Sequence, residues 1–286
     1  MAKSDGKNTM TIEIINSLAY TNSPGVAWQI EQVKSGNSSA LWLATPHEDA
    51  VYLLTKMGLN PACVYDMYAQ RYLEPVASDN GIWWTDLPVP NNAQFILNKD
   101  RTKSIMSRGH EIARVRWFND SKRIVQAVVW YDLDGKIDYK DIYQRDGKLF
   151  AKQYFSEGNL LESDFYVGQE TVQIRDFYFE NHRNFVYAYD QKYPQAEDYI
   201  VSVGNRWVSE TFNITQLGRE INFAPQNTTL TLVGGVLDEK GQVWHNLASI
   251  LQDKTHKIQQ VIVTQRDFDV LKSLGYVTHK LRVGII

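Results

Sequence analysis

The sequence has few features that would fix a fold or a compartment by covalent or membrane chemistry. It has 286 residues and a single cysteine, Cys63, so it has no disulfide framework and suits a reducing compartment. No apolar run approaches the roughly 20 residues of a transmembrane helix. Residues 1–10 are polar and lack the apolar core of a signal peptide, so we expect a disordered leader there. These features predict a cytoplasmic protein.

The sequence also lacks an excess of charge of either sign. There are 30 basic and 33 acidic residues, which gives a net charge of −3. No overall field therefore attracts the chain to nucleic acid or anionic lipid. The short basic groups Arg114–Arg116 and Lys122–Arg123 are interpreted as solvated strand ends. We expect no nucleic-acid partner.

Motifs of catalysis and metal binding are missing or weak. The six histidines are scattered, and no Gly-x-Ser-x-Gly sequence occurs. Cys63 follows Pro61-Ala62 in an apolar stretch, which is typical of a core residue rather than a nucleophile. The sequence therefore predicts no catalytic, metal-binding or cofactor-binding residue, and no cofactor.

Two short motifs have a structural and a functional interpretation. Asp132-Leu-Asp134 matches a metal-binding Asp-x-Asp pattern, but it runs into Gly135-Lys136, so we expect turn-forming aspartates. Gly234-Gly235 follows a predicted strand as phosphate-binding loops do, but it lacks the spacing of such loops. We expect a tight strand exit there.

The pattern along residues 11–110 predicts the first part of a Rossmann-like α/β unit. Thr11–Ile15 and Ala40–Ala44 are predicted strands. A helix is predicted from Ser23-Pro24 to Gly36, and a second one over His47–Met57. This β-α-β-α order favours a parallel sheet with flanking helices. Residues 72–98 carry prolines and are predicted to be irregular.

Residues 191–286 are predicted to return to the same α/β class. The predicted strands are Leu230–Val233, Gln260–Val263 and Leu281–Ile286, and the predicted helices are Gln242–Leu251 and Asp267–Leu274. Since the last strand is apolar and ends the sequence, we expect a domain that normally continues, with a C-terminal lobe missing from this chain.

The intervening residues 111–190 predict an inserted antiparallel β-meander of at least five strands. Turn residues recur at Asn119-Asp120, Asp134-Gly135, Asp146-Gly147, Glu157–Asn159 and Gly168-Gln169. The segments between them are rich in β-branched and aromatic residues, and Asp-Gly between such segments is typical of hairpins. Residues 131–137 resemble residues 143–149, which is a weak repeat of 12 residues.

Aromatic residues of the meander are candidates for an interface. The candidates are Trp130, Tyr131, Tyr139, Tyr143, Tyr154 and Tyr166. They could simply cover one face of the sheet. Because a single layer leaves one face uncovered, and Tyr and Trp are common at binding hot spots, an interface is the alternative. Neighbours alternate between faces, so only one of Trp130 and Tyr131 can belong to the core.

The order of these segments resembles the glycosyltransferases of the accessory Sec system, which modify serine-rich repeat adhesins before export. The residues that carry the resemblance are Ile15–Val26, Met57–Leu59, Val64–Tyr68, Val129–Gly135, Lys152–Phe155 and Gln260–Asp267. The resemblance implies a GT-B-type N-terminal lobe interrupted by an extended β-sheet domain. It also implies a pair of subunits, of which one transfers N-acetylglucosamine (GlcNAc) from UDP-GlcNAc and the other stabilises it and holds the acceptor.

Within that family, the chain is most similar to the non-catalytic, stabilising B-type subunit. Leu232–Leu251 resembles that subunit, and the His-rich loop expected after the inserted sheet of the catalytic subunit is not evident. The implied partners are a catalytic glycosyltransferase subunit and a Ser/Thr-rich adhesin polypeptide. The implied location is the cytoplasm, with peripheral association at the inner face of the cell membrane. A truncated catalytic subunit and a MORN-like hairpin-repeat binding module stay open as alternatives.

Overall fold

The computed structural model describes residues 11–76, 80–180, 182–276 and 278–286. The predicted leader, residues 1–10, lies outside the described residues. The chain divides into two compact units. The α/β unit combines the chain up to Glu74 with Ile200–Ile286, and the sheet unit is Pro75–Tyr199. Among the described residues, no helix is long and apolar enough to cross a membrane.

The α/β unit contains an eight-stranded sheet. Its strands are β1 (Thr11–Ile15), β2 (Ser38–Leu43), β3 (Val64–Asp66), β4 (Arg71–Tyr72), β15 (Phe212–Ile214), β16 (Thr228–Thr231), β17 (Gln260–Val263) and β18 (Leu281–Val283). Their order is β18-β17-β16-β15-β1-β2-β3-β4, and every pair is parallel except β3–β4. The strand order reverses between β1 and β15, which is where ligands bind in open α/β sheets.

Helices connect these strands. They are α1 (Pro24–Lys34), α2 (Ala50–Lys56), α3 (Ala196–Gly204), α4 (Glu220–Phe223), α5 (His245–Gln252) and α6 (Gln265–Ser273). Helix α1 begins after Ser23 with proline at its first position, as the sequence predicts. It packs Val26, Ile30 and Val33 into a buried core with Leu41 and Leu43 of β2. Cys63 packs against the same core and is half-buried.

Several predicted boundaries in this unit need correction. Helix α2 begins at Ala50 rather than His47, because the backbone N–H of Asp49 donates to Nδ1 of His47 in a turn before the helix. Helix α5 begins at His245 rather than Gln242, because Val243 forms an isolated antiparallel bridge with Leu237. Strand β15, next to the central strand β1, was not predicted.

The sheet unit contains ten antiparallel strands in strict sequence order. They are β5 (Gln94–Leu97), β6 (Lys103–Ser107), β7 (His110–Trp117), β8 (Val125–Tyr131), β9 (Ile137–Tyr143), β10 (Leu149–Ser156), β11 (Asn159–Phe165), β12 (Ile174–Phe179), β13 (His182–Ala188) and β14 (Gln191–Tyr193). The predicted fold class, a Rossmann-like α/β unit interrupted by an antiparallel meander, is confirmed.

Both predicted Asp-Gly hairpins are present. Gly135 lies between β8 and β9 with φ of 77°, and Gly147 lies between β9 and β10 with φ of 83°. A positive φ is accessible to glycine at little cost, so these positions set the turns. Asp132 accepts backbone hydrogen bonds from Asp134 (3.0 Å) and Lys136 (2.8 Å) through Oδ1, and this confirms its turn-forming role.

The meander extends further toward the N-terminus than the turn spacing indicated. Residues 94–107 form its first hairpin, although the sequence grouped 72–98 as irregular and 11–110 with the α/β part. One end of the sheet is covered by residues from the preceding segment. Leu87 packs there against Ile105, Val115 and Val128. The proline-rich segment before β5 thus contributes residues to the core of the sheet unit without forming a strand there.

Candidate interface on the antiparallel sheet

A row of aromatic side chains crosses neighbouring strands on one face of the meander. Trp130 of β8 pairs with Tyr139 of β9, and Tyr139 pairs with Tyr154 of β10. The row continues through Glu162 of β11 to Phe177 of β12. Residues opposite each other in a sheet share a face, so these four aromatic side chains and the carboxylate of Glu162 lie in line across five strands. We call the five residues the aromatic row.

The aromatic row is fixed at its β8 end and more exposed in its middle. The rings of Trp130 and Tyr139 stack with centroids 5.7 Å apart. Nε1 of Trp130 donates to Oδ2 of Asp141 at 2.8 Å, and its ring packs against the apolar cluster beneath this end. Tyr154 is 36% exposed. A rigid, partly exposed aromatic surface suits protein recognition, because little side-chain entropy is lost on binding.

Beside the aromatic row lies a second row, of alternating charge. In register it consists of Asp141 (β9), Lys152 (β10), Asp164 (β11) and Arg175 (β12). Nζ of Lys152 is 3.7 Å from Oδ1 of Asp141, and Nε of Arg175 is 3.2 Å from Oδ1 of Asp164. We call these four residues the charged row. Since each acid has a basic neighbour, the row carries no net charge.

The two rows also contact each other. Nζ of Lys152 lies 4.1 Å from the centroid of the Tyr139 ring, which is a cation–π distance. Burial, and to a smaller extent the nearby carboxylates, raise the pKa of Tyr139, Tyr143 and Tyr154. The same causes raise the pKa of Tyr166. These phenols therefore stay neutral hydrogen-bond donors well above neutral pH.

The structure brings five of the six predicted interface residues together and separates the sixth. Tyr143 and Tyr166 follow the face of the aromatic row, and Tyr143 packs against the apolar cluster. Tyr131 points to the other face, toward Arg114. Trp130 packs against the apolar cluster and Tyr131 does not, although both are half-buried. The pairing register of β8 and β9 shifts between Trp130 and Tyr131, close to the turn. Tyr131 therefore covers little of the core.

The sequence analysis missed the charged row. Its four residues recur every 11 or 12 residues with alternating sign. That spacing equals the spacing of the hairpin turns. A search for charges of alternating sign at the turn spacing could therefore have identified the charged row. Which side chains lie next to each other in such a row depends on the pairing register of the strands. Turns and bulges set that register, and composition does not.

A cavity of about 440 Å³ lies in the α/β unit. It is found at the carboxyl ends of β15 and β16, beside the first turn of α1. Gly234 and Gly235 line it, as do Ser23 and Trp244. Gly25 is required here, because a Cβ at this position would lie 2.5 Å from Oγ1 of Thr215. Within the described residues, no three His, Cys, Asp or Glu side chains are grouped to hold a metal ion.

Comparison with known proteins identifies the sheet unit. Residues 95–196 match the family described as the GtfB middle domain. The resemblance to accessory Sec glycosyltransferases is confirmed. The GtfB middle domain match spans β5–β14, so it covers both rows of the candidate interface. A search of curated proteins gave no match.

Solved structures share the fold over nearly the whole chain. The pneumococcal O-GlcNAc transferase GtfA with UDP and GlcNAc has a TM-score of 0.73 at 14% identity, covering 98% of this chain and 60% of that one. A GtfA/B complex bound to UDP and GlcNAc has a TM-score of 0.65 at 15% identity, covering 96% and 61%. The Gap123 complex of Streptococcus agalactiae has a TM-score of 0.66 at 14% identity, covering 96% and 60%. The chain thus spans about three fifths of the length of these chains.

Proposed function

We propose that this protein is a non-catalytic subunit of a protein O-GlcNAc transferase complex. It stabilises a catalytic glycosyltransferase subunit and helps to hold a serine-rich repeat adhesin for accessory Sec export. The observation that carries the proposal is the aromatic row, which lies within the GtfB middle domain match and has a partly exposed centre. The complex would act in the cytoplasm, at the inner face of the membrane.

The chemistry of the face supports a polypeptide partner of low charge. The charged row is neutralised by its own ion pairs, so a strongly charged partner gains little from it. Ser and Thr side chains can exchange hydrogen bonds with neutral phenols, whose pKa is raised by burial. The rings would meanwhile bury the apolar parts of the partner.

The non-catalytic role is supported by the positions of Asp132 and Asp134, which form the Asp-x-Asp sequence that could have bound a metal ion. Asp132 holds the β8–β9 turn through backbone hydrogen bonds, and Asp134 lies exposed in that turn. Two turn-bound aspartates at a hairpin tip are poorly placed to hold a nucleotide-sugar diphosphate. These positions support a role in which the partner subunit carries out the reaction, and a truncated catalytic subunit is the alternative.

Alanine at Tyr154 is expected to weaken partner binding by about 1–2 kcal/mol without lowering the melting temperature appreciably. The ring is at the centre of the aromatic row and is partly exposed, so its loss affects an interface more than the core. Calorimetric titration with a catalytic glycosyltransferase subunit, and separately with a Ser/Thr-rich peptide, measures the effect. Thermal melts of the same variants measure stability.

Three further variants make this experiment decisive. Tyr131→Ala removes a half-buried tyrosine from the opposite face and should leave binding unchanged. Trp130→Ala should lower the melting temperature, because Trp130 packs on the apolar cluster and bonds to Asp141. If both Tyr154→Ala and Tyr139→Ala bind the partner normally, the aromatic row is not the interface. UDP release from UDP-GlcNAc by the chain alone would favour the truncated catalytic subunit.

A further inference from the structure

A second cavity, of about 400 Å³, lies in the sheet unit over β12 and β13. Its lining includes Gln173, Arg175, Tyr187, Tyr189 and Asp190. Tyr187 and Tyr189 are 42% and 44% exposed, so both rings are accessible. The volume falls within the roughly 300–1,000 Å³ typical of small-molecule sites. We call it the β12–β13 cavity, and none of the comparisons assigns a role to it.

The backbone of Tyr189 has a conformation that a tyrosine side chain does not favour. Ala188 pairs with Gln191, so Tyr189 and Asp190 form a two-residue hairpin loop. Their φ angles are 48° and 63°. Such turns favour Gly, Asn and Asp, and a bulky residue with positive φ is strained. A strained residue whose ring lines a cavity points to a role for that ring in the cavity.

The charges around the cavity disfavour an anionic ligand. Arg175 is the cationic residue of the lining, and its Nε is 3.2 Å from Asp164 and 3.9 Å from Glu162. An anion would therefore meet a guanidinium already paired with carboxylates, beside the carboxylate of Asp190. A neutral ligand avoids this penalty, and the two exposed tyrosine rings of the lining favour a ligand with an apolar face.

We propose that the β12–β13 cavity binds a neutral carbohydrate through one pyranose ring. The C–H face of a pyranose is apolar enough to pack on the rings of Tyr187 and Tyr189. Its hydroxyl groups both donate and accept, which matches a lining of carboxylate, guanidinium, amide and hydroxyl groups. The guanidinium has five N–H donors, more than its two ion pairs use.

This inference does not rest on the proposed function. A saccharide in the β12–β13 cavity needs neither the partner subunit nor the aromatic row. The sugar could be free, or it could be attached to a polypeptide, and the chemistry of the cavity is the same in both cases. The experiment below separates these two sources.

The test is a titration of the 286-residue chain with methyl glycosides of glucose, N-acetylglucosamine and N-acetylgalactosamine, followed by NMR. A serine-containing peptide with and without one O-linked sugar forms the second arm. We expect at least one glycoside to bind and to shift resonances of Tyr187 and Tyr189. Stronger binding of the glycopeptide than of its sugar would assign an attached sugar, and equal binding would assign a free one.

The decisive variant is Tyr189→Asn, which removes the ring and relieves the strain. We expect at least tenfold weaker sugar binding together with an equal or higher melting temperature, so loss of binding cannot be attributed to unfolding. The matched control is Arg108→Asn. Arg108 has φ of 51° in the loop between β6 and β7, followed by Gly109 at 83°, and it is exposed away from the cavity. It should keep sugar binding unchanged.

Three results would overturn the proposal. The first is that no neutral glycoside or glycopeptide shifts the cavity resonances. The second is that Tyr189→Asn binds sugar as well as the original chain. The third is that inorganic phosphate or a lysine-rich peptide binds at the β12–β13 cavity in place of the sugars.

Discussion

Replacement of Trp42 by alanine is expected to destabilise the α/β unit by about 3–5 kcal/mol. Trp42 lies in the middle of β2 and has no solvent exposure. Its ring centroid is 4.6 Å from that of Tyr65, 5.5 Å from that of Trp207 and 5.2 Å from that of Phe212. Removing the indole would leave a large cavity among the rings of Tyr65, Trp207 and Phe212.

Trp42→Phe is the matched control for this prediction. Nε1 of Trp42 is buried and has no hydrogen-bond partner among the described residues. A phenyl ring therefore loses volume but no hydrogen bond, and it removes an unsatisfied buried donor. We expect Trp42→Phe to cost much less than Trp42→Ala in urea unfolding followed by circular dichroism. Only a small loss of stability in Trp42→Ala would show that the ring cluster does not stabilise the unit.

Replacement of Asp66 by asparagine is expected to stabilise the chain at neutral pH and to leave its stability nearly unchanged in acid. Burial raises the pKa of Asp66 from 3.8 to about 6, and the N–H donors of Ala69 and Tyr68 only partly oppose the shift. The folded state thus binds a proton at Asp66 more tightly than the unfolded state does. The contribution is fully present below pH 3.8 and is lost as the pH rises through 6.

The size of this effect follows from the shift in pKa. A rise of about two units corresponds to about 3 kcal/mol. The free energy of unfolding of Asp66→Asn, minus that of the original chain, should therefore grow by about this amount between acid and neutral pH. Asn can still accept both N–H donors, whereas Asp66→Ala cannot and should be less stable than Asp66→Asn at every pH. A difference that stays constant with pH would contradict the assignment.

The sequence predicted those parts of the fold that are determined locally. Asp-Gly turns determine hairpins between adjacent strands, so the meander could be recognised from Asp134-Gly135 and Asp146-Gly147. Helix α1 could be recognised from Pro24 and its apolar spacing. In each case the residues that decide the structure lie within a few positions of it.

Strand β15 could not be predicted because distant residues decide it. It has three residues, and the central one is Asn213, which local propensity places in a turn. Nδ2 of Asn213 donates to Oε2 of Glu13 on β1 at 2.8 Å, and Oγ1 of Thr231 on β16 donates to Oδ1 of Asn213 at 2.7 Å. Tertiary hydrogen bonds thus replace the apolar pattern that normally marks a buried strand.

The candidate interface was predictable in its composition and not in its geometry. Aromatic residues at the turn period indicated a surface such as the aromatic row. The charged row, the opposite orientation of Tyr131 and the half-burial of Trp130 depend on register. Register shifts at Trp130/Tyr131 and at Leu149/Ala151 are set by contacts along whole strands, which residue types alone do not reveal.

The strict sequence order of the ten-stranded sheet has a consequence for how the chain folds. Each strand of the sheet unit pairs with the strand before or after it, so its contacts are local and its folding is fast. The pairing of Ile12 with Phe212 must instead close a loop that contains the whole meander. We therefore expect the meander to acquire protection first in pulse-labelled hydrogen exchange. The central strands of the α/β unit would then pair only after the inserted meander has folded. Strand β1 would pair with β2 early and with β15 late, because β15 follows the meander in the sequence.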